Sequence, residues 1–305
     1  MKELWNFFSR EETGYHYSPT LWTKRLPKEE LLPTHIDSTT SSSNQYREAM
    51  GNQLQTVPFG KGEYAGQMDV FRPNNLPENA PIVIYIHGGW WQWFSKEQFS
   101  FLAAPFNKKG MAVYMPGYRL AQDWENDSPI ESIVSQMEAA VATILQEACD
   151  KNSPAVYLIG HSAGGHLVSM LHQTDWSTYN VPKEAQNKIK AVFSLAGVFD
   201  LRFLLNSYVN DAMKMSIQSA EKMSPQLRER NINSLCPIHL VLPEFDTAEF
   251  FRQTKEYQQK LLQEEQICHL HVAHNKDHLS IIEDLENDQD ELFNYLFQHM
   301  EKSRQ

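Results

Sequence analysis

The chain has 305 residues, 41% of them hydrophobic, with a formal net charge of −11 and a pI near 5.5. That is enough apolar material for a sizeable core in one or two domains. The acidic balance argues against nucleic acid or an anionic membrane as the main partner, and no run of about 18 apolar residues is present to span a bilayer.

The first stretch, "MKELWNFFSREETGY", has a short apolar patch but no h-region and no cleavage site, so no signal peptide is predicted. Residues 1–50 are polar with scattered aromatics. Ser38–Gln45, "STTSSSNQ", is of low complexity and reads as a surface loop or a helix entry. From about residue 64 short β-rich runs alternate with amphipathic helical ones, the texture of a βαβ series around a mostly parallel sheet with helices on both faces. Strands are predicted at Tyr64–Phe71, Ile82–Ile86, Ala112–Met115, Val156–Ile159, Ala191–Leu195, Ile238–Leu242 and Cys268–Val272. "PIVIYIHGG" and "AVYLIGHS" are near-continuous apolar runs, as strands covered on both faces should be. Ile130, Ile133, Val134, Met137, Ala140, Val141, Ile144 and Leu145 share one helical stripe, with Ser128 as its N-cap, and Phe250, Tyr257 and Leu261 mark a second. The Met- and Ser-rich segment Asp200–Leu235 reads as a helical insertion over the sheet edge, a candidate lid. The tail "IIEDLENDQDE" reads as a solvated helix face. One domain over 1–305 is expected, with 1–60 as an N-terminal extension packing near the active site. The three cysteines, Cys149, Cys236 and Cys268, lie far apart without a CxxC pair, which fits a reducing, cytoplasmic setting and no disulfide framework.

The chemistry points to one turn. Gly160-His161-Ser162-Ala163-Gly164 is G-x-S-x-G between a predicted strand and a helix running from Gly165 to about Gln173. A sharp strand-to-helix reversal puts Ser162 in a strained conformation and leaves no room for side chains at the flanking glycines. Its hydroxyl then stands at a helix N-terminus, where developing negative charge is favoured. A serine hydroxyl needs a base, an orienting acid and an oxyanion hole. His87-Gly88-Gly89, after the strand Ile82–Ile86, matches the H-G-G loop of lipases and esterases, so the hole is assigned to the amide of Gly88 or Gly89 together with that of Ala163. In the chain order Ser, acid, His, the base is His278, with His274 as the alternative. The acid is Asp246, with Glu244 and Asp200 as weaker choices; Asp277 adjoins the base and must point elsewhere. His269, His271, His274 and His278 superficially resemble a metal-ligand cluster, but no second set of Asp or Cys ligands accompanies them, so no metal is predicted. His87, Trp90 and Trp91 are the candidates to touch substrate. Trp90, Trp91, Trp93 and Phe94 can either stack on an aryl group or pack the loop against the N-terminal segment.

With these motifs in place, the chain resembles the kynurenine formamidases (arylformamidases), a family with the α/β-hydrolase fold. His87-Gly88-Gly89-Trp90-Trp91 is similar to the family's H-G-G-x-W loop. "YHYSPTLWTKRL" is similar to its Tyr-Ser-Pro-x-x-Trp entry, "GHSAGGHL" to its nucleophile elbow, "AGVFDL" and "MSPQ" to the segment after it, "EFDTAEFFRQTKEY" to its acid loop and "DHLSIIEDL" to its histidine loop. Carried over residue by residue, the resemblance implies Ser162 as nucleophile, Asp246 as acid and His278 as base. It implies hydrolysis of N-formyl-L-kynurenine to L-kynurenine and formate, without metal or cofactor, on a small aryl formamide or ester substrate. The rival enzyme is a carboxylesterase for short-chain acyl or aryl esters, and the rival class is a binding protein on a hydrolase fold. A homodimer is compatible with the sequence, which does not set the oligomeric state.

Overall fold

A computed structural model of the chain describes residues 8–125, 129–229 and 236–304. Among them eight strands form one sheet in the order β1-β2-β4-β3-β5-β6-β7-β8. The strands are β1 (Leu54–Phe59), β2 (Gly66–Phe71), β3 (Ile82–Ile86), β4 (Ala112–Pro116), β5 (Val156–His161), β6 (Ile189–Leu195), β7 (Ile238–Phe245) and β8 (Cys268–Asp277). β1 and β2 are antiparallel to each other, β2 is antiparallel to β4, and β4-β3-β5-β6-β7-β8 run parallel.

The continuous apolar strands divide by their two-residue period. Ile82, Ile84 and Ile86 enter one core with Leu158, Val192 and Leu240, while Val83 and Tyr85 enter a second with Tyr157, Phe193 and Val241. Each core is closed by helices of its own. Pro129–Asp150, Ala163–His172 and Ala248–Gln263 cover the first through Met137, Leu167 and Tyr257. Ala103–Lys108 and Glu291–Lys302 cover the second through Phe106 and Phe293. A sheet buried on both faces presents its loops at the strand ends, and in parallel sheets the C-terminal ends gather the chemistry.

Several expectations are corrected. "STTSSSNQ" is neither a loop nor an entry: it lies within the helix Lys28–Met50, with Thr39 and Ser43 buried. β1 is not among the predicted strands; its short, Pro-containing and largely exposed run suits the sheet edge it occupies. The predicted strand start at Tyr64 belongs to a 3-10 turn, Gly62–Tyr64. The helix after Ser162 begins at Ala163 rather than Gly165. β8 extends to Asp277, which puts His274 on a strand. The Ser128 cap lies outside the described residues, as does the end of the 200–235 segment. Its described part holds a 3-10 turn, Leu201–Leu204, and two short helices, Val209–Met213 and Ile217–Lys222. Among the described residues no helix is long and apolar enough to cross a membrane.

Candidate active site

β5 ends at His161, and the chain turns at once into the helix Ala163–His172. Ser162, at the corner, has φ 55° and ψ −116°, a region that L-residues rarely occupy. The flanking glycines make the corner possible: a Cβ on Gly160 would stand 2.0 Å from the Gly164 carbonyl oxygen, and one on Gly164 would stand 2.1 Å from that of Ile86. Ser162 is held by its own amide, which donates to the Leu195 carbonyl at 2.8 Å.

The structure brings the three distant side chains together. His278 Nε2 lies 3.0 Å from Ser162 Oγ, and His278 Nδ1 lies 2.7 Å from Asp246 Oδ2. Asp246, at the end of β7, accepts the Thr247 amide on its other oxygen at 2.7 Å, and Thr247 caps the helix Ala248–Gln263. All three are buried, and Phe250 meets the His278 ring edge-on at 5.0 Å. The other carboxylates go elsewhere. Asp277 takes Thr23 and Arg25 at 2.6 and 2.7 Å, Asp200 pairs with Arg202, and Glu244 faces the solvent-exposed His274 at 3.6 Å. His269 stacks on His239 and His271 on Tyr295, away from Ser162.

Over the serine lies the loop after β3. A Cβ on Gly88 would come within 2.9 Å of Ser162 Cβ, so only glycine lets this backbone approach so closely. Among the described residues no carbonyl takes up the amides of Gly88, Gly89 or Ala163. The carbonyls on the loop's other side are engaged. The Tyr118 hydroxyl stands 3.1 Å from the oxygens of both His87 and Gly88, and His87 Nδ1–H donates to the Gly88 oxygen at 2.8 Å. In trans peptides N–H opposes C=O, so these bonds aim the Gly88 and Gly89 amides away from Tyr118. Burial lowers the His87 pKa to about 4, so the ring is neutral at pH 7. Burial first, and then the neighbouring His278, push His161 well below the ordinary imidazole range. Its Nε2–H donates to the His278 carbonyl at 2.7 Å, pinning the backbone of the histidine beside Ser162.

A cavity of about 480 Å³ opens beside Ser162 and His278. Trp90 lines it, together with Trp93, Phe94 and Phe99. Two of the predicted substrate-contacting residues do not. Trp91 is fully buried with its ring edge-on to His166, and His87 is buried between Phe99 and Tyr118. The far wall comes from the N-terminal segment, through Ser18, Pro19, Leu32, His35 and Ile36, and Tyr208 closes the rim. Sequence reasoning missed His35 and His161 in the lining and Tyr118 behind the loop; His161 sits inside the recognised motif, and the other two carried no signal. A larger cleft, about 660 Å³ and lined by Lys183, Lys190 and Pro237, lies at the N-terminal ends of β6 and β7 and contains none of this machinery.

Comparison with known proteins agrees with this architecture. The BD-FAE family model matches residues 68–252. The kynurenine formamidase of Danio rerio is 34% identical over 92% of this chain and 93% of its own length, and that of Salmo salar is 32% identical over 98% and 99%. The esterase of Pyrobaculum calidifontis superposes with a TM-score of 0.68 at 15% identity, over 90% of this chain and 94% of its own, which speaks for the α/β-hydrolase fold. With about a third of its residues shared along almost the whole length of both fish proteins, this chain belongs to the kynurenine formamidase family of hydrolases.

Proposed function

We propose that the chain is a serine hydrolase that deformylates N-formyl-L-kynurenine, releasing L-kynurenine and formate. The observation that carries this is the line Ser162 Oγ, His278 Nε2, His278 Nδ1, Asp246, with separations of 3.0 and 2.7 Å, beneath a glycine loop whose amides meet no carbonyl among the described residues. Ser162 attacks the formyl carbon while His278 takes its proton and Asp246 holds the ring. The oxyanion is received by Gly88 or Gly89 and Ala163. The C–N bond breaks as His278 returns the proton to the arylamine. Water, deprotonated by the same histidine, then releases formate from the formyl-serine. The scheme calls for no metal or cofactor.

The cavity's apolar, aromatic wall suits an aryl leaving group and would also admit aryl esters, which keeps the carboxylesterase reading in play. Two measurements test the assignment on purified protein. A fluorophosphonate should label Ser162; an unlabelled serine favours a binding role. The ratio of kcat/KM for N-formylkynurenine to that for acetate and butyrate esters should favour the formamide, and a strong preference for the esters overturns it.

A further inference from the structure

Among the described residues the cavity wall holds no Asp, Glu, Lys or Arg side chain. It does hold three imidazoles. His278 is occupied by Ser162 and Asp246, and His161 donates its Nε2–H to the His278 carbonyl and keeps only an acceptor nitrogen. His35, 1% exposed, is different. Its Nδ1 lies 2.6 Å from Glu283 Oε1, while its Nε2 has no partner among the described residues and is not among the fully occluded unpaired atoms. The rings of Phe94 and Phe99 flank it, 5.8 and 6.1 Å away.

The charges behind His35 bear on what this nitrogen offers. Arg25 is shared, Nε to Asp277 at 2.7 Å and Nη1 to Glu283 at 2.6 Å. The two carboxylates thus carry two negative charges against one positive. Lys276, next to Asp277 in the chain, is turned to Asp284 and Asp290 and does not help. Both carboxylates are largely shielded from water, and a residual buried negative charge is unfavourable. An imidazolium at this place donates through Nδ1 to Glu283 and through Nε2 into an apolar chamber.

We propose that His35 is a substrate-recognition residue whose Nε2–H receives a carboxylate carried by the arylamine portion of the substrate. The proposal rests on the Ser162-centred site described above, and it names what that site selects. A charge-assisted hydrogen bond in a largely apolar cavity is strong enough to separate a carboxylate from its neutral isostere.

Calorimetric binding of L-kynurenine and of its carboxamide reads this without any chemistry, so a failure of the acyl-transfer scheme leaves the result intact. The intact protein should bind the carboxylate at least about tenfold more tightly, and in His35→Gln that ratio should fall below about threefold, because Gln keeps polarity but no charge. Equal affinities in the unsubstituted protein overturn the proposal, whether or not His35→Gln folds. So does an undiminished ratio in a folded His35→Gln, because a merely structural role weakens both ligands alike.

Discussion

The loops after β3, β5 and β8 and the helix Lys28–Met50 line one cavity, but they reach it by different means. The loop side is set by backbone: a strained serine, glycines at contact distance from carbonyls, and amides aimed by Tyr118 and His87. The helix side is set by side chains. Leu32, His35 and Ile36 line the cavity, and the helix's buried stripe, Leu31, His35, Thr39 and Ser43, recurs every fourth residue and is mostly polar. The loop side is suited to bond-making, and the helix side to deciding what enters. Damage to the first should therefore appear in kcat, and damage to the second in affinity.

The largest effects should come from the loop side. Ser162→Ala is expected to lower kcat by about 10⁶-fold, and Asp246→Asn by about 10⁴-fold, each with a small change in KM; single-turnover rates on a formylated arylamine check both. Next is Trp91→Ala, which empties a fully buried site and should cost about 3–5 kcal/mol in urea unfolding. A loss under about 1 kcal/mol would mean that the ring is not core.

Acid should act first through the buried imidazoles. His87 and His166 titrate in the folded chain at about 4, and His239 at about 3, below the ordinary 6.5. The unfolded chain therefore takes up their protons first. Their contribution to stability is complete above pH 6.5 and fades as pH falls toward 4, by about 1.4 kcal/mol per pH unit for each ring. Asp277 and Glu283, lowered from 3.8 and 4.5 by their hydrogen bonds and Arg25 in spite of burial, keep theirs until the pH drops below those ordinary values. Urea midpoints between pH 7 and 5 should thus fall on account of the imidazoles, and a flat profile contradicts this. Tyr118→Phe removes the hydroxyl shared by two loop carbonyls and should reduce kcat about tenfold with KM steady. A change confined to KM would move Tyr118 to the recognition side. The smallest change is expected from Trp93→Ala. This ring is 47% exposed at the mouth, so KM should rise about threefold while Tm shifts by less than about 2 °C.

What could be seen in the sequence follows the same division. The elbow was legible because Gly160 and Gly164 answer contacts that admit no Cβ, and the central strands because burial on both faces writes an unbroken apolar run. The helix Lys28–Met50 was not, because between Leu31 and Met50 its buried positions are His, Thr and Ser, which produce no apolar period to detect. Trp91 misled for a related reason. Trp90, Trp91 and Phe94 all have positive φ, so the loop coils and successive rings point into different surroundings, a geometry that spacing along the chain does not reveal. His35 could not be inferred without its partners, which lie 248 residues away at Glu283 and, through Arg25, at Asp277.

The side chain of Asp277 has a practical corollary. It accepts Thr23 and Arg25 on one oxygen and the amides of Leu279 and Ser280 on the other, straddling His278. The segment that shapes the entrance is thereby fastened to the turn that carries the imidazole. A chimera that borrows its first fifty residues from a relative would inherit a latch without its keeper, unless the stretch from Asp277 to Glu283 is exchanged along with it.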